Sequence, residues 1–347
     1  MTSKKLQWER RVVDPEEDRE VLYRARKRFY GNRNDNYVDW LYYDNPAGHL
    51  FCSLAMDRDV IAGQYVVIPV DFVMAGREVK GGLSLHTFTH RSYQRQGIFT
   101  ALAKDVFSRI ASQGIPFTIG LPNKISRPGF LKKLQFVEPI PVLQSVRAIV
   151  PLSSCGNMIR QVTSRIPLGV AEPLIRRMRG LHLDVTDAPE RDWLDGLWGA
   201  YSRGKVVELK KDAQWVQWRY IQNPRFSYRF VTATSSGGQP VGYVVWNTQR
   251  QEKRRFSIHT LVDIVATDVS SSLVLLQTFL NEIALESDIV KAMMVPFSMQ
   301  GRALMAMGFA PYSRISFIVR RNVPAFPMDR YLKKGVWPIS GSYADFL

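Results

Sequence analysis

The pattern of apolar and polar positions predicts a mixed α/β fold. Apolar residues recur every three or four positions in charged stretches, which indicates helices, and runs rich in Val, Ile and Phe between Gly and Asp residues indicate strands. In the first half these elements are helices at 15–30 and 37–43, strands at 50–57, 60–75 and 82–90, a helix at 97–113, a strand at 116–122, a short helix at 126–134 and closing strands within 136–150.

The second half of the chain repeats the first. Three motifs recur in the same order, with an offset of 178 for the first and 173 for the other two. They are "DWLYYDNP" at 39–46 and "QWRYIQNP" at 217–224, "SLHT" at 84–87 and "SIHT" at 257–260, and "LKKLQF" at 131–136 and "LMAMGF" at 304–309. This order predicts two copies of one domain. The limits that we expect are 1–150, a basic linker at 151–190, and 191–347.

Composition narrows the partners and the compartment. A net charge of +16 over 347 residues favours an anionic partner. No helix-turn-helix or zinc finger can be recognised, so we do not expect nucleic acid to be the partner. No apolar run approaches the roughly 18 residues of a membrane span. Cys52 and Cys155 lack metal-ligand spacing, so we expect no metal site and a cytoplasmic protein of unspecified oligomeric state.

Two segments lie outside the repeated motifs. Residues 155–180 are basic and roughly amphipathic, which is compatible with a helix on a membrane surface or with a segment that connects the domains. Pro167 and Pro173 interrupt a long helix and favour the connecting segment. The end of the chain, at 335–347, is apolar and aromatic, so we expect it to pack against a domain, and lining an acceptor site is one place for it.

The segment "QRQGIF" at 94–99 lies between a predicted strand and the long helix. A helix N-terminus presents unpaired N–H groups and a partial positive charge, which together favour an anion. Gly97 lets the backbone approach that anion, and Arg95 adds a cation. The segment is neither a Walker A loop nor a Rossmann fingerprint, because the other residues of those motifs are missing. It therefore predicts a site for phosphate or diphosphate.

The stretch "HRSYQRQGIFTALAKDVF" resembles the acetyl-CoA signature of the GCN5-related N-acetyltransferases, the GNAT superfamily. Gln94 and Gly97 match that loop, whereas Phe99 departs from its last small residue. The resemblance covers residues 1–150 and extends to "GLPNKISRPGFLKKLQF". It implies two tandem GNAT-like acyl-CoA N-acyltransferase domains of mixed α+β sheet, with acetyl-CoA as co-substrate. The cofactor-binding residues that it implies are Thr89, Gln94, Arg95, Gln96, Gly97, Ile98, Phe99, Thr100 and Asn123.

The second copy serves as an internal control. An offset of 173 aligns residues 94–99 with "TDVSSS" at 267–272, which has neither the glycine nor the arginine. Asp263 and Asp268 would also bring negative charge towards a phosphate. We therefore expect the second domain to be a degenerate GNAT-like domain that does not bind CoA.

The candidate catalytic residues are Asn123, Ser126 and His86. His86 is a possible base, but the offset aligns it with His259 in the copy without the loop, which favours a structural role. Asn123 and Ser126 follow the strand expected beside the thioester, although Ser126 would equally suit a helix N-cap. Leu131 replaces the tyrosine acid of the family, and Tyr93 is an alternative acid. A basic cluster, Lys124, Arg127, Lys132 and Lys133, is either a site for the CoA 3′-phosphate or for an anionic acceptor, or a solvated helix face.

Three functions are compatible with these residues. The first is an N-acetyltransferase that acts on a small amine, for which the net positive charge favours an anionic one. Similar tandem proteins suggest an amino sugar or nucleotide-linked sugar of surface-polysaccharide synthesis. The second is a non-catalytic sensor or scaffold that binds CoA, which the missing tyrosine favours. The third is an aminoacyl or peptidyl transferase of similar tandem fold.

Overall fold

The computed structural model describes residues 7–31, 34–149, 180–250, 257–284, 289–333 and 336–344. Most of the basic segment at 155–180 lies outside the described residues. The chain divides into two compact units, each discontinuous in sequence. Unit 1 comprises Met1–Pro139 and Ser316–Lys333, and unit 2 comprises Ile140–Ile315 and Lys334–Leu347.

The sheet of unit 1 has the order β1-β2-β3-β4-β5-β14. Its strands are β1 (Glu9–Val12), β2 (Phe51–Asp57), β3 (Val60–Met74), β4 (Arg77–Thr89), β5 (Phe117–Gly120) and β14 (Ile318–Arg321). The helices are α1 (Arg19–Tyr30), α2 (Asp35–Tyr42), α3 (Ile98–Ser112) and α4 (Arg127–Lys133). Strands β1 to β4 are antiparallel neighbours, β5 runs parallel to β4, and β14 is antiparallel to β5.

The sheet of unit 2 has the order β13-β6-β12-β11-β10-β9-β7. The strands of this sheet are β6 (Pro141–Ala148), β7 (Leu181–Thr186), β9 (Tyr228–Ser235), β10 (Pro240–Arg250), β11 (Ser257–Ala266), β12 (Ile289–Met294) and β13 (Ala310–Ser316). Unit 2 also contains the short strand β8 (Val207–Leu209), which is not part of this sheet. The helices are α5 (Arg191–Tyr201), α6 (Ala213–Val216) with a π-helical turn (Gln217–Ile221), α7 (Val269–Glu282) and α8 (Met299–Ala306). Here β12 is parallel to β11, as β5 is to β4.

The two units differ from contiguous halves because the chain exchanges strands. In unit 2, β6 is antiparallel to β12, from Leu143 opposite Met294 to Ala148 opposite Ile289. In unit 1, β14 takes the corresponding place beside β5. The sequence pattern predicts β6 in the first half and β7 in the linker, whereas both strands belong to the second sheet. Local patterning cannot specify this choice, because the two sheets offer similar edges.

The cores follow the predicted periodicity. On α3 the side chains of Ile98, Leu102, Val106 and Ile110 are at most 1% exposed. Each such burial stabilises the fold by roughly 1.5–3 kcal/mol relative to an exposed side chain. The prediction of a helix at 97–113 is therefore confirmed.

The repeated Trp-x-Tyr-x-x-Asn-Pro motif builds a helix end in each unit. Trp40 and Trp218 are buried at 3% and 4% exposure. After α2, the side chain of Asn45 donates to the Pro69 carbonyl at 2.9 Å. In unit 2 the Asn223 side-chain oxygen accepts from the Arg225 N–H at 2.9 Å. The motif therefore has a structural role at the end of a helix in both units.

The end of the chain packs within unit 2. Trp337, Ile339 and Tyr343 are at most 3% exposed. Arg219 donates from Nε to the Ser342 carbonyl at 3.3 Å and from Nη2 to the Ala344 carbonyl. The expected packing is confirmed for residues 336–344, which we call the tail. Among the described helices, none combines the length and apolar character needed to cross a bilayer.

Candidate functional site

Two parallel strands of unit 1 separate at the start of the candidate site. Strand β4 pairs with β5 only from Gly82 to Ser84, opposite Thr118 to Gly120. Beyond that point β5 ends, while β4 continues to Thr89 beside β3. Backbone groups of β4 after Ser84 therefore have no β5 partner, and the strands diverge towards the segment that precedes α3.

The residues between β4 and α3, at 90–97, form what we call the glycine loop. Two of its residues have left-handed backbones, Arg95 with φ 65° and Gly97 with φ 82°. Gly97 is the N-cap of α3, and no side chain of the described residues caps this end. The first intrahelical bond joins Ala101 N to the Gly97 carbonyl at 3.0 Å. The N–H groups of the first turn thus point out of the helix end.

The glycine loop has an open surface at Gly97. A Cβ built at this residue would have no heavy atom within 4 Å, so the glycine is required by its φ angle and not by crowding. Gln94 and Arg95 are exposed, and Gln94 donates to the Thr89 carbonyl at 3.4 Å. The Gln96 Oε1 is buried without a hydrogen-bond partner. A buried acceptor of this kind is typical of a position that a ligand or a water satisfies.

Phe99 departs from the family signature, and the structure shows how unit 1 accommodates it. The ring packs against Tyr65 and Phe130, at centroid distances of 5.8 and 5.2 Å. A Cβ on Gly129 would lie 3.0 Å from the Phe99 ring, so the glycine of α4 makes room for it. The Ile98 side chain lies in the core at 1% exposure. Ile98 and Phe99 therefore contribute N–H groups, rather than side chains, to the helix end.

Asn123 and Ser126 shape the turn that leads into α4. The Asn123 Oδ1 accepts from the N–H of Ile125 at 3.0 Å and of Ser126 at 2.9 Å. Ser126 is the N-cap of α4, and its hydroxyl donates back to Asn123 Oδ1 at 3.1 Å. In unit 2 the corresponding N-cap is Ser298, whose Oγ accepts from Gly301 N at 2.9 Å. Ser126 and Ser298 thus take the same N-cap position, at an offset of 172 instead of 173, but only Ser298 caps its helix with its side chain, whereas the Ser126 hydroxyl bonds to Asn123.

The predicted basic cluster around α4 is exposed. Lys124, Lys132 and Lys133 face solvent, whereas Arg127 donates from Nε to Glu138 Oε1 at 2.9 Å. That hydrogen bond, together with the charge of Glu138, raises the pKa of Arg127. The three lysines remain available to an anion or to solvent.

His86 lies in a β-bulge of β4. Gln64 pairs with Phe88 and Val66 with Leu85, so two residues of β4, one of them His86, face the single residue Tyr65. The backbone of His86 is left-handed, with φ 47°. The His86 Nδ1 lies 2.6 Å from the Tyr42 hydroxyl. Its ring also contacts Tyr30, Tyr37 and Tyr42, at centroid distances of 5.2, 5.9 and 5.8 Å.

Tyr93, the alternative to the tyrosine acid that Leu131 replaces, receives no support from the structure. The Tyr93 ring is buried, and its hydroxyl donates to Asp57 Oδ2 at 2.7 Å, which raises the pKa of Tyr93. Leu131 packs against the apolar core of unit 1. Tyr93 therefore supports the fold of the loop.

Unit 2 lacks the glycine loop. Eight residues join β4 to α3, but two join β11 to α7, so unit 2 has six fewer. The N-cap of α7 is Asp268, whose carboxylate accepts from Ser271 N at 2.8 Å and from the Ser271 hydroxyl at 2.7 Å. The predicted alignment of 94–99 with 267–272 was wrong in register, because it assumed loops of equal length. Asp268 occupies the place of Gly97.

The residue that corresponds to His86 also changes. Gly63 of β3 pairs with Thr89, and Gly242 of β10 pairs with Ala266. Counting three residues back from Thr89 gives His86, which lies in the bulge. Counting three back from Ala266 gives Asp263, which pairs with Val245 next to the bulged Val262. The argument that His259 shares the place of His86 was therefore wrong, since the matching "SLHT" and "SIHT" motifs lie out of register in the folded sheets.

Asp263 belongs to a buried group of three charges, Glu208, Lys211 and Asp263, which we call the ion cluster. The Lys211 Nζ lies 2.9 Å from Asp263 Oδ2 and 3.3 Å from Glu208 Oε1, and all three side chains are at most 1% exposed. Burial opposes the charge of Lys211, but Asp263 and Glu208 raise its pKa overall. Burial raises the pKa of Glu208, although Lys211 acts against it. Sequence reasoning missed this cluster, because no spacing links residues 208 and 263.

The tail occupies the space where β11 and β12 separate. These strands pair from Ile258 to Leu261, opposite Ile289 to Ala292. Beyond that point the tail residues Pro338–Ser340 line a small cavity together with the following residues of both strands and with α8. In unit 1 the corresponding strands open on the glycine loop. Unit 2 therefore fills, with its own chain, the position that would accept an extended ligand.

These observations test whether the residues fit an acyl-CoA. Unit 1 offers an uncapped helix end, an exposed left-handed glycine and the Arg95 cation, all of which suit a diphosphate. The unsatisfied Gln96 Oε1 is an acceptor and would suit an N–H or O–H donor of the same ligand. The unpaired stretch of β4 suits the amide groups of a pantetheine arm. In unit 2 a carboxylate occupies the helix end and the tail occupies the divergence, so its residues do not fit the group.

Comparison with known proteins identifies the type of domain and the fold. Residues 12–137 match the family model described as "Acetyltransferase (GNAT) domain". The matched segment contains α1 to α4, β2 to β5 and the glycine loop. The first part of the chain is therefore a GNAT domain. No curated protein sequence matches the chain.

Solved structures share the fold along most of the chain. A GCN5-related N-acetyltransferase from Anabaena variabilis has a TM-score of 0.65 at 14% identity and covers 91% of this chain and 73% of its own. A tandem GNAT protein from the clavulanic acid biosynthesis pathway has a TM-score of 0.56 at 12% identity, with 92% and 100% covered. Saccharomyces cerevisiae N-myristoyltransferase, solved with myristoyl-CoA, has a TM-score of 0.55 at 11% identity, with 92% and 80% covered. The chain has the tandem GNAT fold.

Proposed function

We propose that this chain, which contains a GNAT domain and has the tandem GNAT fold, is an acyl-CoA-dependent N-acyltransferase. Unit 1 holds its acyl-CoA site, and unit 2 holds none. The proposed acyl donor is acetyl-CoA, and the proposed acceptor is a small amine, with an amino sugar or a nucleotide-linked sugar as the first classes to assay. The reducing environment that suits its cysteines and the supply of acetyl-CoA favour the cytoplasm.

The observation that carries this proposal is the open N-terminus of α3. The N–H groups from Ile98 to Thr100 and the Arg95 side chain would hold the diphosphate of the donor. The segment of β4 after Ser84 would pair with its pantetheine amides. When bound, the donor supplies an acyl thioester that a neutral amine can attack.

His86 is our candidate for accepting the proton of the amine. If its Nδ1–H donates to the Tyr42 oxygen, the neutral ring presents Nε2 as an acceptor. Tyr42 would then fix the tautomer and stabilise the protonated ring. The left-handed backbone of His86 supports a functional role, because strained residues cluster at sites where geometry is held for chemistry. Asn123 remains a candidate for orienting the donor, whereas Ser126 has a structural counterpart in unit 2.

Acetyl-CoA binding tests the proposal directly. At a ligand concentration a hundredfold above Kd, stability against unfolding should rise by about 2.7 kcal/mol. Release of free CoA thiol with a panel of amines then measures transfer. If no acyl-CoA raises the stability, the proposal is wrong. If acetyl-CoA binds but no amine releases thiol, the protein is a CoA-binding sensor and not an acetyltransferase.

A further inference from the structure

One arginine of α1 is held by aromatic rings without a carboxylate. The Arg26 guanidinium lies over the rings of Tyr30 and Tyr37, at 4.3 and 4.6 Å from their centroids. Its Nε is buried and has no hydrogen-bond partner. Within the described residues, Arg26 forms neither an ion pair nor a hydrogen bond. The half-buried guanidinium of Arg26 therefore still has N–H groups that can donate hydrogen bonds to a ligand.

A second arginine on the same helix shows the contrast. Arg19 lies over the Tyr43 ring at 4.1 Å, but its Nη1 is also 3.6 Å from Asp39 Oδ1. Arg19 thus combines an aromatic support with a carboxylate, whereas Arg26 has the support alone. Unsatisfied buried donors are rare in native proteins, so the buried Nε shows that the Arg26 guanidinium is short of hydrogen-bond partners within the described residues.

Arg26 lies beside the candidate base. Tyr30 and Tyr37, on which it stacks, are two of the three tyrosines that contact the His86 ring. Tyr30 is 43% exposed, so this group is open to solvent on one side. An anion bound by Arg26 would therefore lie one aromatic ring away from the residue that we propose to take the amine proton.

We propose that Arg26 binds an anionic group, phosphate or carboxylate, on the same acceptor molecule whose amine faces His86. This inference rests on the proposed function and narrows its acceptor to amines that carry a negative charge. A guanidinium donates two parallel hydrogen bonds to either oxyanion, and the aromatic rings hold its plane in place.

Matched pairs of amines test the inference. One pair is glucosamine 6-phosphate and glucosamine, and the other is 4-aminobutyrate and butylamine, which separates phosphate from carboxylate. In the wild type, kcat/KM should favour the anionic member of at least one pair by about ten- to a hundredfold, as charged hydrogen bonds do. Arg26→Gln should abolish that preference through KM. Arg26→Lys should retain part of it, and Lys27→Gln, which removes an exposed charge from the same helix, should retain all of it.

Two further measurements show whether a negative result contradicts this inference or the proposed function. Acetyl-CoA affinity of Arg26→Gln, measured by calorimetry, should equal that of the wild type. Calorimetric titration of each amine and of inorganic phosphate reports binding even without turnover. If the wild type binds acetyl-CoA but binds no anionic amine or phosphate, or if Arg26→Gln keeps the preference, the inference fails while the proposed function stands. If acetyl-CoA does not bind, the proposed function fails and this inference with it.

Discussion

The two helices α3 and α7 occupy the same place in their units but begin in opposite ways. Gly97 is the N-cap residue of α3 but has no side chain that could accept a hydrogen bond, so this helix end stays open. At the N-terminus of α7, the carboxylate of Asp268 accepts a hydrogen bond and occupies the helix end. The shorter connection before α7 removes the loop altogether. The same fold thus holds either an anion site or a closed helix end. The helices and strands around the site are shared, so they are not what decides between the two.

A second contrast lies near the bulges of β4 and β11, where His86 is one of the bulged residues of β4 and Asp263 is the neighbour of the bulged Val262 in β11. Unit 1 has His86 beside Tyr42 in a half-buried position, whereas unit 2 has Asp263 in the buried ion cluster. Asp263 also acts electrostatically on Tyr220, the counterpart of Tyr42 in the repeated motif, whose pKa is raised well above 10 first by burial and then by that charge. A position that could exchange protons in one unit belongs to a buried ion pair in the other.

The largest effect that we expect is on turnover at His86. His86→Gln should lower kcat by about a hundred- to ten-thousandfold, the usual range for loss of a general base, because His86 is the group that we propose to accept the proton. Tyr42→Phe should shift the pH dependence of kcat and reduce it less, since the ring packing remains. Acetyl-CoA affinity should not change in either variant. Unaltered turnover in His86→Gln would remove the functional contrast at the bulge.

In unit 2 the corresponding change affects stability. Lys211→Met should destabilise the protein by about 3–5 kcal/mol, because Glu208 and Asp263 would remain buried without a cation. Lys210→Met is the matched control, since Lys210 is more exposed and lies 3.4 Å from Asp212, a contact worth at most about 1 kcal/mol. Denaturant unfolding followed by tryptophan fluorescence measures both. If both variants lost the same unfolding free energy, the two carboxylates of the ion cluster would not depend on Lys211 for their stability.

Helix ends provide the next comparison. Gly97→Asp should weaken acetyl-CoA binding at least a hundredfold, about 2.7 kcal/mol, because it recreates in α3 the carboxylate of α7. Gly97→Asn has the same size and tolerates a left-handed backbone equally well, so its loss should be under about tenfold. Calorimetry with acetyl-CoA gives both affinities. Similar losses in the two variants would assign the effect to shape and not to charge.

Alkaline pH should weaken unit 2 through its buried groups. Burial raises the pKa values of Tyr201, Tyr243 and Tyr343 well above 10, and the two carboxylates raise that of Lys211 above 10.5. A group whose pKa is higher in the folded than in the unfolded protein stabilises the fold fully at pH values below its unfolded pKa. That stabilisation is lost as pH rises through its folded pKa. Unfolding free energy should therefore fall above about pH 10. Lys211→Met should flatten that fall by up to about 1.4 kcal/mol per pH unit, and an unchanged slope would contradict the assignment.

The sequence predicted local features well where periodicity or backbone chemistry determines them. The long helix, the glycine before it and the packing of the tail were all recognisable. It could not show that β6 joins the second sheet, because pairing depends on a partner edge far along the chain. It also misaligned His86 with His259 and Gly97 with residue 270, since a six-residue deletion and a bulge shift the register without leaving a motif. Gly129 makes room for Phe99 from another helix, which only the folded chain reveals.

The substitutions with the smallest expected effect, at Asp268, give the most direct comparison of the two helix ends. Asp268→Ala should cost about 1 kcal/mol of stability by removing the N-cap, and Asp268→Asn, another good N-cap, should cost less. Asp268→Gly in a Gly97→Asp background should restore no acetyl-CoA binding, because unit 2 still lacks six loop residues and its tail fills the strand divergence. If that double variant did bind acetyl-CoA, a single carboxylate would be all that distinguishes the two units, and the loop and the tail would have no part in closing the second site.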